Sequence, residues 1–263
     1  ARPRPRPPPP LKSRPRDHRW CGCCGTGFQL PSGRLVVPGY FYQSNIDFNH
    51  DPGHRKGQYN DSVQVTAFLS DDHGENWFPG SPAPQQRLSR TNDHLTLTSE
   101  VSFAALANGS LLFNSDGCGL GDRLQSLSTN QGSSWGRVSL TDVKDDSVMG
   151  GLVAAVVTLE GHRPQEIIVQ STAEGPGYRS DMHLFLSVDG GASYKDVRRW
   201  AGGCGYSELT LLNDSSVPHN DTSQEGPPIG LFYEGGSGTS DYSGQMSFVR
   251  LDSAALLRKY WAL

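Results

Sequence analysis

Four polar side chains stand out for the chemistry their types allow: Glu100, Arg179, Tyr206 and Glu234. A phenol becomes a nucleophile once a base takes its proton, a carboxylate can be that base, and a guanidinium grips anions through paired, charge-assisted hydrogen bonds. Taken singly, each also has a plainer reading. Tyr206 fits a strand residue packed against a neighbouring sheet, and Glu100 fits a solvated acid at a strand start. Arg179 beside Asp181 fits a surface ion pair, which is worth little. Glu234, next to Gly235-Gly236, fits turn chemistry. Other constellations read as structural. His50 and His54 flank Pro52-Gly53, which argues against a helical ligand pair. The Gly-rich runs lack the strand–glycine–helix context of a phosphate loop. Asp145-Asp146 reads as a solvated loop. The cysteines are crowded (Cys21, Cys23, Cys24) or isolated (Cys118, Cys204) and are not read as a zinc site; a Cys118–Cys204 disulfide is left open. No metal or cofactor is expected.

Such residues need a scaffold, and the chain is written as one of short strands. With 31 Gly and 18 Pro among 263 residues, turns are frequent and an all-β class leads. "GFQL-PSG-RLVVPGYF" reads as strand, turn, strand, and "EVSFAALANGSLLFNS" as a hairpin about Asn108-Gly109. "GLVAAVVTLEGHRPQEIIVQST" is a second hairpin; "SELTLL" with "PIGLFYE" is another. "SAALLRKYWAL" predicts a short terminal helix. Three strands run into nearly the same phrase: "SDDHGENW" from Ser70, "STNQGSSW" from Ser128 and "SVDGGASY" from Ser187. Their spacings are 58 and 59 residues, the period of one repeated unit of about four strands, as in a propeller blade. Within each phrase Asp72, Asn130 or Asp189 is expected to accept backbone donors, and Gly74, Gly132 or Gly191 permits positive φ. Trp77, Trp135 and Tyr194 are expected to bury their rings against the neighbouring sheet.

Charge is uneven along the chain. Residues 1–20 hold seven Arg or Lys and one acid, which leaves 16 basic and 26 acidic residues in the body, a charge of −10. The acidic body argues against a nucleic-acid partner. No apolar run is long enough for a transmembrane helix, so nothing indicates membrane association of that kind. Residues 1–24, rich in proline and arginine, are expected to form a disordered basic arm, with residues 25–263 forming the folded domain. Four N-glycosylation triplets, at Asn60, Asn108, Asn213 and Asn220, lean toward a lysosomal or extracellular setting.

The repeated phrases resemble the Asp-boxes of the sialidase (neuraminidase) superfamily. The intervening stretches resemble it too: "GTGFQLPSGRLVVPGYF", "TSEVSFAALANGSLLFNSD", "YRSDMHLFLSVDGG" and "GYSELTLL…IGLFYE". The resemblance runs from about Gly25 to Asp252 and is greatest to exo-α-sialidases of animals and bacteria. It implies an all-β fold, a six-bladed β-propeller with the site on the central axis, of which about four blades are expected here. It implies the release of terminal sialic acids from glycoproteins, oligosaccharides and gangliosides. By position, Tyr206 matches the family's nucleophile and Glu100 the carboxylate that takes its proton. Arg179 matches the third arginine of the carboxylate-binding triad, and Glu234 the acid that buttresses the first.

Three departures bear on activity. The family's Phe/Tyr-Arg-Ile-Pro motif and its acid/base aspartate would both lie upstream of Gly25, where this chain has the proline-rich arm. Asp116 stands where the second arginine belongs, seven residues after Gly109, and nearby Arg123 is not assigned as its substitute. The chain is therefore expected to be a partial sequence of such an enzyme, lacking its N-terminal part, and a non-catalytic Asp-box propeller that binds glycans or proteins is the alternative reading.

Overall fold

The computed structural model describes residues 18–21, 25–43, 62–84, 100–117, 121–144, 146–175, 179–212, 225–236 and 245–263. Residues 1–17, His50, His54, Asp145, Cys23, Cys24, Cys118 and the triplets at Asn60, Asn213 and Asn220 lie outside them. The described residues form three antiparallel sheets and one helix. The first sheet holds β1 (His18–Cys21), β2 (Phe28–Gln29), β3 (Leu35–Gln43), β4 (Ser62–Ser70) and β5 (Phe78–Pro79). The second is β6 (Val101–Ala105), β7 (Leu111–Ser115), β8 (Asp122–Ser128) and β9 (Ser139–Lys144), paired in sequence order. The third runs β10 (Leu152–Val157), β11 (Gln165–Ala173), β12 (Ser180–Ser187), β13 (Lys195–Leu211), β14 (Ile229–Gly236) and β15 (Met246–Leu251). Helix α1 (Ser253–Ala262) closes the chain, with the Asp252 carboxylate accepting from the Ala254 and Ala255 N–H groups at 2.9 and 3.1 Å. No helix among the described residues is long and apolar enough to cross a membrane.

Two features depart from the sequence reading. β1 lies inside the segment assigned to the arm, pairing His18–Cys21 with Tyr40–Gln43. Pro15 is the last proline of that segment, so from His18 onward every residue has an N–H to give a ladder. The 17-residue β13 is the second: its first half, Lys195–Gly203, pairs with β12, and its second half, Gly203–Leu211, pairs with β14. One strand thus serves what the repeat pattern reads as two units.

The cores lie between sheets. Val36, Val65 and Leu69 of the first sheet pack with Val101, Phe103 and Phe113 of the second. Leu112 and Val143 of the second pack with Ile168 and Phe185 of the third. Covering on both faces explains why β7 and β12 read as nearly unbroken buried runs rather than as alternation.

The repeated turns close in one way. Ser70, Ser128 and Ser187 each donate their Oγ–H to the carboxylate or amide oxygen two residues on, at 2.9, 2.9 and 2.7 Å. Each Oγ also accepts the N–H of the glycine four residues on, at 2.8, 2.9 and 2.9 Å. Those glycines hold φ of +91, +82 and +90°, which the turn requires. The aromatic that follows reaches into the core shared with the preceding sheet. Trp135 sits between Phe103 and Phe113, with centroids 4.9 and 5.0 Å away, and Tyr194 joins the next core. Trp77 is the exception: it is 45% exposed and lies back on its own turn, its indole N–H donating to the Gly74 carbonyl at 3.0 Å. It belongs to the first sheet, and the described residues include no preceding sheet to receive it.

At the other end, β14 and β15 present Phe232 and its cross-strand partner Phe248, 47% and 61% exposed, with Met246 at 56%. Contiguous apolar area of this kind binds hydrophobic dyes and partners. The Phe248→Ser/Met246→Ser protein is expected to bind the dye ANS less than the wild type, with unchanged far-UV circular dichroism. Equal dye fluorescence would place the exposed apolar surface elsewhere.

Candidate active site

The residues that the sequence singles out come from four separate stretches. Glu100 immediately precedes β6 and Arg179 immediately precedes β12, while Tyr206 lies in β13 and Glu234 in β14. The Tyr206 hydroxyl donates to Glu100 Oε1 at 2.9 Å, across 106 positions of sequence. The Arg179 guanidinium carbon sits 5.2 Å from the centroid of the Tyr206 ring. Glu234 Oε2 accepts the Tyr206 backbone N–H at 3.1 Å, so it holds the strand at Tyr206 rather than touching the phenol.

Local backbone irregularity aims these groups. The β13–β14 register slips between Cys204 and Ser207, so Tyr206 sits on a bulge that turns its side chain out of the regular pleat. The β12–β13 register slips between Ser180 and Met182. Arg179 and Asp181 adopt φ of +50 and +54°, a left-handed conformation that costs a non-glycine residue about 1–3 kcal/mol when the surroundings impose it. Carboxylates and a backbone bond hold this turn. The Arg179 N–H donates to Asp146 Oδ2 at 3.0 Å, and the Arg179 carbonyl accepts the Cys204 N–H at 3.0 Å. Asp181 accepts the Gly202 N–H at 2.8 Å and pairs with the Arg199 guanidinium. The reading of Arg179 and Asp181 as a surface ion pair is therefore corrected: the partner of Asp181 is Arg199. Asp146, read as a solvated loop residue, is half-buried and tied to the candidate site.

Electrostatics couple the phenol and its partner. Burial raises the Tyr206 hydroxyl above its ordinary value, the bond to and charge of Glu100 raise it further, and Arg179 opposes them. Burial likewise raises Glu100; the Tyr206 hydrogen bond pulls it down, and the nearby Asp116 charge pushes it up. Asp116 is 5% exposed and its N–H donates to the Glu100 carbonyl at 3.1 Å, so it adds negative charge beside Glu100. Arg123 is the next basic residue along the chain. It is fully buried within the sheets, bonded to Asn114 Oδ1 and, at 2.8 Å, to the Val148 carbonyl. Cys204 is a buried free thiol, pushed up to about 12 by burial, hence inert; the other half of the disulfide left open, Cys118, is outside the described residues. Among the described residues, no group of three His, Cys, Asp or Glu side chains is placed to hold a metal ion.

No protein-family model matches the chain. It is 37% identical over 114 residues to Sialidase-4 of Homo sapiens, a match covering 42% of this chain and 20% of that protein. Its fold superposes on the crystal structure of the intramolecular trans-sialidase from Ruminococcus gnavus, solved in complex with oseltamivir carboxylate. That match has a TM-score of 0.58 and 20% identity over 88% of this chain and 43% of the other. The Hadza microbial sialidase Hz136 gives a TM-score of 0.60 and 21% identity over 87% and 37%. Over the matched segment the chain is similar in sequence to sialidases, and its fold resembles that of solved sialidases. Its sialidase fold is propeller-like, with the sheets stacked through inter-sheet cores as described. The matched segment spans about a fifth of the curated relative, and the chain under half of these solved sialidases.

One further carboxyl lies close by. Glu208, two residues beyond Tyr206 in β13, accepts the Leu209 N–H at 3.1 Å, and burial raises its carboxyl to about 7 from 4.5. Hydrogen bonds from the Leu209 N–H and from Thr26 oppose that rise. Below its unfolded value the group is neutral in both states and costs nothing. As the pH rises through 7, the native state must ionise a buried carboxyl, so the stability it contributes is lost. A Glu208→Gln protein is expected to melt at the wild-type temperature near about pH 4 and above it near about pH 8. A difference of the same size at both pH values would refute this assignment.

Proposed function

We propose that the chain is a portion of a retaining exo-α-sialidase, its sheets read as four blades of a six-bladed ring. The supporting observation is the 2.9 Å hydrogen bond from Tyr206 to Glu100 beneath the Arg179 guanidinium. Sialic acid carries a carboxylate on its anomeric carbon, so a carboxylate nucleophile would meet like charge. A neutral phenol that loses its proton only on attack avoids this repulsion. In this scheme the Tyr206 oxygen bonds to the anomeric carbon as its proton passes to Glu100, and the bond to the leaving oxygen breaks. Water then attacks the anomeric carbon and gives up a proton to solvent, which balances the oxide that left unprotonated; the bond to Tyr206 breaks, and Glu100 returns the proton to the phenol. Arg179 grips the substrate carboxylate, and Glu234 fixes the bulge that presents the nucleophile.

The leaving oxygen needs a proton in natural glycosides, which the superfamily takes from an aspartate that this chain does not match. An aryl leaving group needs little such help, so an aryl sialoside suits the groups present. Glycoproteins, oligosaccharides and gangliosides bearing terminal sialic acid are the natural substrates proposed. Turnover of 4-methylumbelliferyl sialoside is expected to fall by about a hundredfold or more in Tyr206→Phe. Equal, non-zero turnover in both proteins would remove Tyr206 from the mechanism.

Asp116 favours a second reading, a non-catalytic propeller that binds glycans or proteins, because it adds a negative charge beside Glu100 where the superfamily has an arginine. Titration with sialyllactose separates the two. Saturable binding with no release of sialic acid supports the second reading, and release supports the first.

A further inference from the structure

Arg179 owes its place to a residue 33 positions away in sequence. Its N–H is held by Asp146 Oδ2 at 3.0 Å and its carbonyl by the Cys204 N–H at 3.0 Å, on the strand that carries Tyr206. Its backbone is left-handed at φ +50°, and Ser147, beside Asp146, is left-handed as well at +54°. A β-carbon strains this conformation, so an arginine stays there only while something outside the turn holds its backbone. The bond from Cys204 fixes one side of the Arg179 residue and the bond to Asp146 the other. Together they set the direction in which the side chain leaves the strand, and so the 5.2 Å approach of the guanidinium to the Tyr206 ring.

We propose that Asp146 is a positioning residue for this site: its carboxylate oxygen holds the Arg179 backbone left-handed and thereby keeps the guanidinium over Tyr206. This rests on the sialidase reading only for what the guanidinium grips, not for how it is held. Without the acceptor, the turn relaxes toward negative φ and the guanidinium swings off the ring. What matters is an oxygen at that point, which an asparagine also supplies.

Two readouts test this in the Asp146→Ala and Asp146→Asn proteins. The first does not depend on catalysis: the ultraviolet titration of the Tyr206 phenol, isolated by subtracting the Tyr206→Phe protein. Arg179 favours the ionised phenol. Asp146→Ala is therefore expected to raise the titration midpoint as Arg179→Ala does, with no further rise when the two are combined, while Asp146→Asn stays near wild type. The second uses the aryl sialoside. Asp146→Ala is expected to raise KM by about tenfold or more with a smaller change in kcat, since a misplaced clamp loses binding, and Asp146→Asn to recover most of the loss.

An unchanged phenol midpoint in Asp146→Ala overturns the proposal, and so does an Asp146→Asn protein as impaired as Asp146→Ala. Should Asp146→Ala not fold, the wild type decides. The Arg179 amide resonance, displaced downfield by a carboxylate acceptor, should move upfield as acid protonates Asp146, and a pH-independent resonance overturns it. If no protein turns over the sialoside, the sialidase reading fails while the phenol titration still judges Asp146.

Discussion

The hydrogen bond between the Tyr206 hydroxyl and Glu100 is the constraint on which the rest of the site depends. Its partners belong to different sheets, the second and the third, and only the packing between those sheets brings them together. Each sheet must stand at the right angle to its neighbour, or a 2.9 Å contact spanning 106 residues does not form. The inter-sheet cores set that angle, with Leu112, Ile168 and Phe185 among the side chains that fill the space between the two sheets. The repeated turns serve the same end from the rim, since Trp135 and Tyr194 each anchor one sheet to the sheet before it.

The site itself is built from exceptions to regular strand geometry. Tyr206 lies at a register slip, and Arg179, which is left-handed, stands just before another. A regular pleat would carry the Tyr206 side chain along the alternation of β13, toward one face or the other. The slip frees it from that alternation, and Glu234 holds the backbone N–H that the slip exposes. The candidate site and the irregularity coincide here, and neighbouring carboxylates bear the cost of the irregularity.

Much of the architecture was legible because it depends on local chemistry. The serine–acid–glycine turns, the Asn108-Gly109 hairpin, where Gly109 takes φ +84°, and the terminal helix all follow from short-range patterns. The grouping of Glu100, Tyr206 and Arg179 came through resemblance; no spacing within the chain implies it. Other features were hidden because their causes lie far off in sequence. Nothing near Asp146 reveals that it faces the Arg179 N–H, and Arg123 reads as an ordinary strand arginine until its buried partners are seen. Trp77 carries the same turn signal as Trp135, and only the packing beyond the first sheet separates exposed from buried.

β13 carries a consequence of its own. Since Lys195–Gly203 knits to β12 and Gly203–Leu211 to β14, a single unbroken backbone is a spine for both halves of the third sheet. Neither half can come apart without fraying the other. Amide exchange along β11, β12, β14 and β15 should then report one shared opening event, with the tyrosine at the hinge of that cooperative block.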